Sequence, residues 1–466
     1  MGSCKIRGRW VESGSMRIRV KRGLDVPIRG KPERELEQLP TPKKIALNLD
    51  PFDDTRFRVL VKAGERVQIG QPLVESKAVS GQMFVSPAGG VVKEIRRGLK
   101  RRLLDLVIER DETEESLKLT PPSSGNLEEL LAFLLQGGAF PYIRMRPFHL
   151  VADPKHLPRD IFVSAVESLP FAPSAERQVE GHEEIFQTGL ETLAKLTDGK
   201  VHLVYREGST SKAFTEAREV EKHTISGPHP VGTTSLHIQK VAPIRSPEDF
   251  VWTLSSIGVL TLGKLMREGT YFTDRVLSLA GEGIIAERRG YLHGRAGMPV
   301  ESLIANRITN EPLRLISGDP LVGVKVEARD FLGFYDTCFC AIPENTKRQL
   351  FHFLRLGLNK YSATKAYATG HAKPPKGGYS FSTNQHGEER AFIDGAIYEK
   401  VMPLHIPTMQ LVKAILSEDF EHAEELGLLE VAPEDFALPT FICPSKIEMI
   451  DIVKKGLHLY SKEMGH

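Results

Sequence analysis

Glycine and proline cut residues 57–111 into short runs: FRVLVKAGERVQIGQPLVE, then GQMFVSPAGGVVKEI, then RLLDLVIERD. None of them carries the spacing of an amphipathic helix, whereas strands of roughly four to eight residues bounded by turn residues fit throughout. The segment is therefore constrained to a small all-β sandwich or barrel. Its two halves, VKAGERVQIGQPL and VSPAGGVVKEI, each place glycine where a tight turn needs a positive φ, which is the internal pseudo-repeat of a carrier-type barrel-sandwich hybrid.

Carriers of that kind show an attachment lysine on a hairpin tip, and Lys77 stands in such a place. Ser86 and Pro87 lie nine and ten positions beyond it, too far for the carrier spacing, and Ser76 and Ala78 flank it where a biotinyl site has methionine. Lys77 reads as a solvated hairpin lysine. A lipoyl-like carrier using it is an alternative that an intact mass decides.

At 466 residues, and with roughly 100–200 residues per domain, the chain holds about three or four domains. The expected architecture is a multidomain mixture of α/β and α+β. Residues 1–15 are a disordered extension, and 16–125 the β-rich barrel-sandwich domain. Residues 126–270 form an α/β domain with a parallel sheet, 271–345 a β-grasp-like domain, and 346–466 a mostly helical region. In the α/β part, NLEELLAFLLQGG opens on a capping Asn126 and stops at Gly137–Gly138. Strands are expected at 159–166 and 200–207, and helices at 182–196 and 247–266. Further helices are expected at 346–360 and over the stretch that begins at Met402, with a Gly/Pro/Lys-rich linker or docking loop at 371–390 between them.

Sixty-two basic against 60 acidic residues leave a net charge of +2, which argues against a nucleic-acid partner. Four cysteines without regular spacing point to a reducing compartment rather than a disulfide framework. No stretch is apolar for the 18 or so residues that a membrane span requires, and no secretory h-region opens the chain.

Chemical motifs are sparse. The turn LQGGAFPYIRMRPF could bring backbone to a phosphate, but no Gly-Lys-Ser/Thr follows, and a helix end with a proline turn accounts for Gly137, Gly138 and Pro141. His223, His229 and His237 have no carboxylate or cysteine at ligand spacing, so no metal is expected. Cys443-Pro444 ends in the manner of an iron–sulfur run, yet the other ligand positions hold Pro433, Phe436 and Pro439, a degenerate motif. Cys338 and Cys340 read as buried small hydrophobes.

Six blocks in register carry a resemblance over the chain from about Met16 onward. They are RIRVKRGLDVPIRGKPE, SPAGGVVKEIRRG, GGAFPYIRMRPF, HPVGTTSLHIQKVAPI, LAGEGI and TFICPSKIEM. Together they resemble the NqrA family, one component of the sodium-translocating NADH:quinone reductases. More remote relatives are the RnfC component of the Rnf electron-transfer complex and the flavin-binding component of proton-pumping NADH dehydrogenases.

The resemblance implies a peripheral protein on the cytoplasmic face of the membrane. Its partners would be the membrane subunits of the Nqr complex, NqrB most of all, with ubiquinone as bound substrate. In the remote relatives a Gly-Ala-Gly-Phe-Pro-Thr loop cradles flavin phosphate; here it is Gly-Gly-Ala-Phe-Pro-Tyr, and of their acidic turn Glu167 remains while Leu169 replaces the second acid. No cofactor is thus expected on this chain, with flavins, iron and NADH left to other subunits; an Rnf-type flavin protein is the alternative. The quinone site is sought at Phe140, Tyr142, Arg144 and Arg146 and at His229 and His237. No catalytic residue is assigned.

Overall fold

The strand Asp160–Ala165 lies at the centre of the α/β part of the protein, in a computed structural model that describes residues 14–465 apart from 124, 347–350, 352 and 353. Its side chains alternate across the sheet. Ile161 and Val163 enter one core with Trp252, while Phe162 enters another with Val204 and Ile225. Both faces are covered, which is why the strand is apolar almost throughout.

The sheet has seven strands in the order Arg17–Arg19, Glu221–Ser226, Val201–Arg206, Asp160–Ala165, Val251–Ser255, Arg144–Arg146, Leu150–Val151. The first five are parallel, and the last two turn antiparallel at the edge. One face is covered by the helices Leu127–Gln136, Glu183–Leu193 and Ser256–Glu268. The last two cross closely: a Cβ on Gly263 would meet the Ile185 carbonyl oxygen at 1.8 Å, and one on Gly189 the Val259 oxygen at 2.2 Å. The other face takes the helix Thr234–Val241 and the C-terminal helices.

Two expectations change here. The helix expected over 247–266 begins only at Ser256, because Val251–Ser255 is a buried strand between Asp160–Ala165 and Arg144–Arg146. A short apolar run that joins a helix directly has no periodicity to separate the two. The span 16–125, expected as one β unit, contributes to three further pairings. Arg17–Arg19 adds to the α/β sheet beside Glu221–Ser226, with Ile18 buried, Arg34–Gln38 pairs with Gly290–Arg295, and Ile28 bridges to Tyr379.

The barrel sandwich itself is built from residues 44–110. Four antiparallel strands, Lys44–Asn48, Leu103–Arg110, Gly90–Arg97 and Arg66–Val67, face three, Phe57–Val59, Pro72–Ser76 and Met83–Val85. Phe52 and Phe84 meet edge to face at 4.8 Å in its core. Lys77 sits exposed on the turn after Pro72–Ser76. Gly138, at φ +74°, packs on this unit so closely that a Cβ would stand 2.7 Å from Val85.

Between 274 and 343 five strands and the short helix Val300–Ile304 form a mixed sheet, completed by Arg34–Gln38 at its edge. Its Leu277, Leu279 and Phe339 share a core with Leu47 and Phe52 of the barrel sandwich.

Beyond it, among the described residues, α-helices begin only at Thr408–Leu416 and continue to Met449–Glu463. The helix expected over 346–360 falls partly outside the described residues, and the rest of it, 354–360, is turns around Gly357 at φ +64°. The extension expected over 1–15 lies, but for its last two residues, outside the described ones. Among the described residues no helix is long and apolar enough to cross a membrane.

Candidate functional site

Strand order reverses between Asp160–Ala165 and Val251–Ser255: the chain leaves the first strand for Val201–Arg206 on one side and later returns to the other. Open α/β sheets bind ligands in the crevice at the carboxyl ends of such strands. A cavity of about 220 Å³ lies there, lined among others by Glu167, Ser168, His229, Thr234, Ser256 and Glu434. Two helices, Thr234–Val241 and Ser256–Glu268, begin at its wall, and neither has a side-chain cap on its first amides. Their amino ends make the wall electropositive.

His229 is the best-defined polar group of the cavity. The Gly232 N–H donates to Ser168 Oγ at 2.9 Å, and the same hydroxyl meets His229 Nδ1, also at 2.9 Å. The other ring nitrogen, Nε2, is buried and has no hydrogen-bonding partner among the described residues; it carries the imidazole proton when the Ser168 hydroxyl donates to Nδ1. Burial drops the His229 pKa to about 4, against a weaker pull from Asp25, so the ring is neutral at pH 7. Ser256 Oγ is likewise buried and without a partner among the described residues. The cavity is thus lined by a neutral imidazole and a serine, each with one buried polar atom that has no partner among the described residues.

Acid surrounds it. Glu167 accepts the amides of Ser168 at 2.7 Å and Leu169 at 2.8 Å, but burial outweighs these bonds and raises its pKa. Asp319 is pushed up to about 7, first by burial and also by the Glu167 charge. Asp319 can therefore hold a proton near neutrality.

The six residues expected to form a site fall into several environments. Phe140 meets Trp252 edge to face at 5.7 Å in the sheet core. Tyr142 bonds to Tyr271 and Arg275, and Arg144 lies over the rings of Phe52 at 5.6 Å and Tyr335 at 5.1 Å. Arg146 is buried at 1 % exposure, donates to Ser235 Oγ at 2.9 Å and faces Asp435 and Glu434. His237 meets the Val231 carbonyl at 2.9 Å through Nε2, and burial holds its pKa at about 4. Of the six, His229 lines the cavity. The remaining lining, Ser168 and Ser256 above all, carried no motif; the serine pair between VWTL and IGVLTLGKLM marks the strand-to-helix junction and was the one available signal.

At the opposite ends of the strands, the structure gives His223 partners that spacing alone did not suggest. His202, Glu221 and His223 place ligand atoms within 4.8 Å of one another. The Met16 N–H donates to His223 Nδ1 at 3.2 Å, so His223 Nε2 carries the proton that meets His202 Nδ1 at 3.0 Å. His202 Nε2 then faces Asp160 Oδ1 at 3.9 Å. This directed chain of neutral imidazoles conflicts with metal ligation, since a metal on His223 Nε2 would require a proton on Nδ1, against the Met16 amide.

The glycine pair of GGAFP is closed: side chains of Leu265 and Val85 lie within 3.0 Å of where the Cβ atoms of Gly137 and Gly138 would be. Cys443 is buried with its Sγ 3.1 Å from the Tyr398 hydroxyl.

Comparison with known proteins places the chain. Residues 18–111 match the NqrA N-terminal barrel-sandwich hybrid domain, and residues 126–271 the NqrA second alpha/beta domain. The chain is 39 % identical over 463 residues to the NqrA component of the Na(+)-translocating NADH-quinone reductase of Chlamydia pneumoniae, covering 97 % of this chain and 98 % of that one. It is 34 % identical over 453 residues to the same-named protein of Rhodopirellula baltica, covering 96 % and 98 %. Among solved structures, an NAD+-reducing [NiFe]-hydrogenase in the H2-reduced state aligns at a TM-score of 0.35 and 10 % identity, over 66 % of this chain and 55 % of that one. By these matches the chain belongs to the NqrA family of the Na(+)-translocating NADH-quinone reductases.

Proposed function

We propose that the chain is a peripheral component of a sodium-translocating NADH:quinone reductase, held at the cytoplasmic face of the membrane by the membrane subunits, NqrB first among them. In this reading it supports reduction of ubiquinone coupled to sodium export and carries no redox cofactor, while flavins, iron and the NADH site lie on other subunits. The quinone ring enters the cavity at the strand-order reversal, one carbonyl oxygen accepting the His229 Nε2–H.

The unpartnered His229 Nε2 carries this reading, since a buried polar nitrogen on a residue that lines a cavity is costly until a partner reaches it. Size supports it: an engineered cavity of about 150 Å³ admits benzene, so about 220 Å³ has room for one substituted ring. Family membership supports the complex, since the relatives are named as one of its subunits.

A photoreactive ubiquinone analogue applied to the assembled complex tests it. Label is expected on the peptides holding His229 and Ser256, with roughly fivefold weaker protection by ubiquinone in His229→Ala. Label confined to other subunits sinks the quinone site and leaves the docking role standing.

A further inference from the structure

From Asn345 to Gly387 the chain contains seven Lys and Arg residues and no Asp or Glu, although the whole chain carries only +2. Within this stretch Leu354, Leu356 and Leu358 are 75 %, 70 % and 66 % exposed, with Arg355 between them also exposed. Lys365, Lys373 and Lys376 are exposed as well. Single exposed leucines are ordinary, but three alternating residues among basic side chains are not.

The loop is held in shape. The Ala368 N–H donates to the Leu356 carbonyl at 3.0 Å, and Thr369 Oγ1 donates to the Lys360 carbonyl. Tyr361 stacks on Phe441 with ring centroids 5.9 Å apart and lies 5.8 Å from both Tyr379 and Phe381. Tyr361 and its ring partners face the body of the protein, and Phe351, at 66 % exposure, faces out with the leucines and lysines. Interfaces between proteins show the reverse preference, with tyrosine enriched and lysine depleted. Apolar side chains set among basic ones match the headgroup layer of an anionic bilayer.

We propose that residues 354–376 form a lipid-contact surface, on which Leu354, Leu356 and Leu358 enter the headgroup layer while Arg355, Lys365, Lys373 and Lys376 pair with lipid phosphates. The contact is one of this chain with lipid itself, beyond its docking to protein subunits, and it does not depend on what the cavity binds.

Flotation of the purified full chain with vesicles tests it, comparing phosphatidylcholine alone with phosphatidylcholine mixed with phosphatidylglycerol. The chain is expected to float with the mixed vesicles only, and less so as salt screens the phosphates. Each lysine lost near an anionic surface weakens binding roughly fivefold, so K365Q/K373Q/K376Q should bind about a hundredfold more weakly. The variant L354S/L356S/L358S should lose the part of the binding that resists salt. An unchanged melting transition in either variant separates loss of the surface from loss of the fold. Flotation that ignores phosphatidylglycerol, or that survives in both variants, overturns the proposal. So does capture of the membrane subunits that fails in these variants while the parent chain never floats, because it assigns the surface to a protein partner.

Discussion

The hydroxyls of Tyr142 and Tyr271 meet at 2.8 Å in a buried contact, and Arg275 Nη2 donates to the same Tyr142 oxygen at 2.8 Å. Tyr142 belongs to the turn Phe140–Tyr142 before Arg144–Arg146, the strand next to the edge of the α/β sheet, and its ring packs on Phe334 at 4.9 Å in the core shared with the barrel sandwich. One oxygen therefore satisfies two groups where the domains join.

Tyr142→Phe strands both partners and should cost about 1–3 kcal/mol. Tyr271→Phe leaves the Arg275 bond in place and should cost less. Urea unfolding midpoints of the two variants decide the matter, and equal losses would show that Tyr142 is not the shared partner.

Asp319 gives a prediction whose sign follows from its buried carboxyl. Its pKa in the fold, about 7, lies above the usual value of 3.8, so the unfolded chain releases this proton more readily. The contribution of Asp319 to stability is full below about pH 4 and is lost as pH rises through 7. Asp319→Asn keeps an oxygen for the Leu321 amide, which in the parent donates to Oδ1 at 2.8 Å, and removes the charge. The variant should match the parent near pH 4 and exceed it by up to about 4 kcal/mol above pH 7. Denaturant midpoints across that range check it, and a constant difference between the two proteins would exclude a role for ionisation.

Added zinc should leave the melting transition unchanged. The Met16 amide fixes His223 Nδ1 as an acceptor, and the pair with His202 is already satisfied by its own proton. Burial keeps His223 near a pKa of about 4, so the pair is neutral over most of the working range. A zinc-dependent rise in melting temperature that disappears in His223→Ala would mean that residues 16–19 yield to a metal and that the imidazole protons sit on the other nitrogens.

Much of the fold is legible locally. Gly64, Gly70, Gly81 and Gly90 all take positive φ in the barrel sandwich, where the turn pattern required it, and Asn126 accepts the Glu128 amide as a cap should. The strand Val251–Ser255 was hidden because it runs without a break into Ser256–Glu268, and an apolar stretch buried on all sides has no period to read. The placement of Arg17–Arg19 and Arg34–Gln38 depends on distant strands that leave no mark nearby.

The site divides in the same way. His229 was singled out because histidine in a glycine–proline loop is conspicuous, whereas Ser168 and Ser256 gain their meaning only when three elements converge. Phe140 and Tyr142 stood out in a conspicuous motif; the structure buries Phe140 in the sheet core and uses Tyr142 to pack domains together. His202 and His223 lie on neighbouring parallel strands, a relation fixed by register rather than by spacing.

The first described strand imposes an order on synthesis. Met16 finds His223 across 207 positions of chain, and translation at about 5–20 residues per second puts on the order of ten to forty seconds between their appearances. Throughout that interval the nascent segment 16–38 waits outside the ribosome, while the barrel sandwich, whose strands all come from residues 44–110, already has every pairing partner it needs. A chain started after Gln38 would keep that sandwich and leave two sheets with bare edges, open to pairing with another molecule.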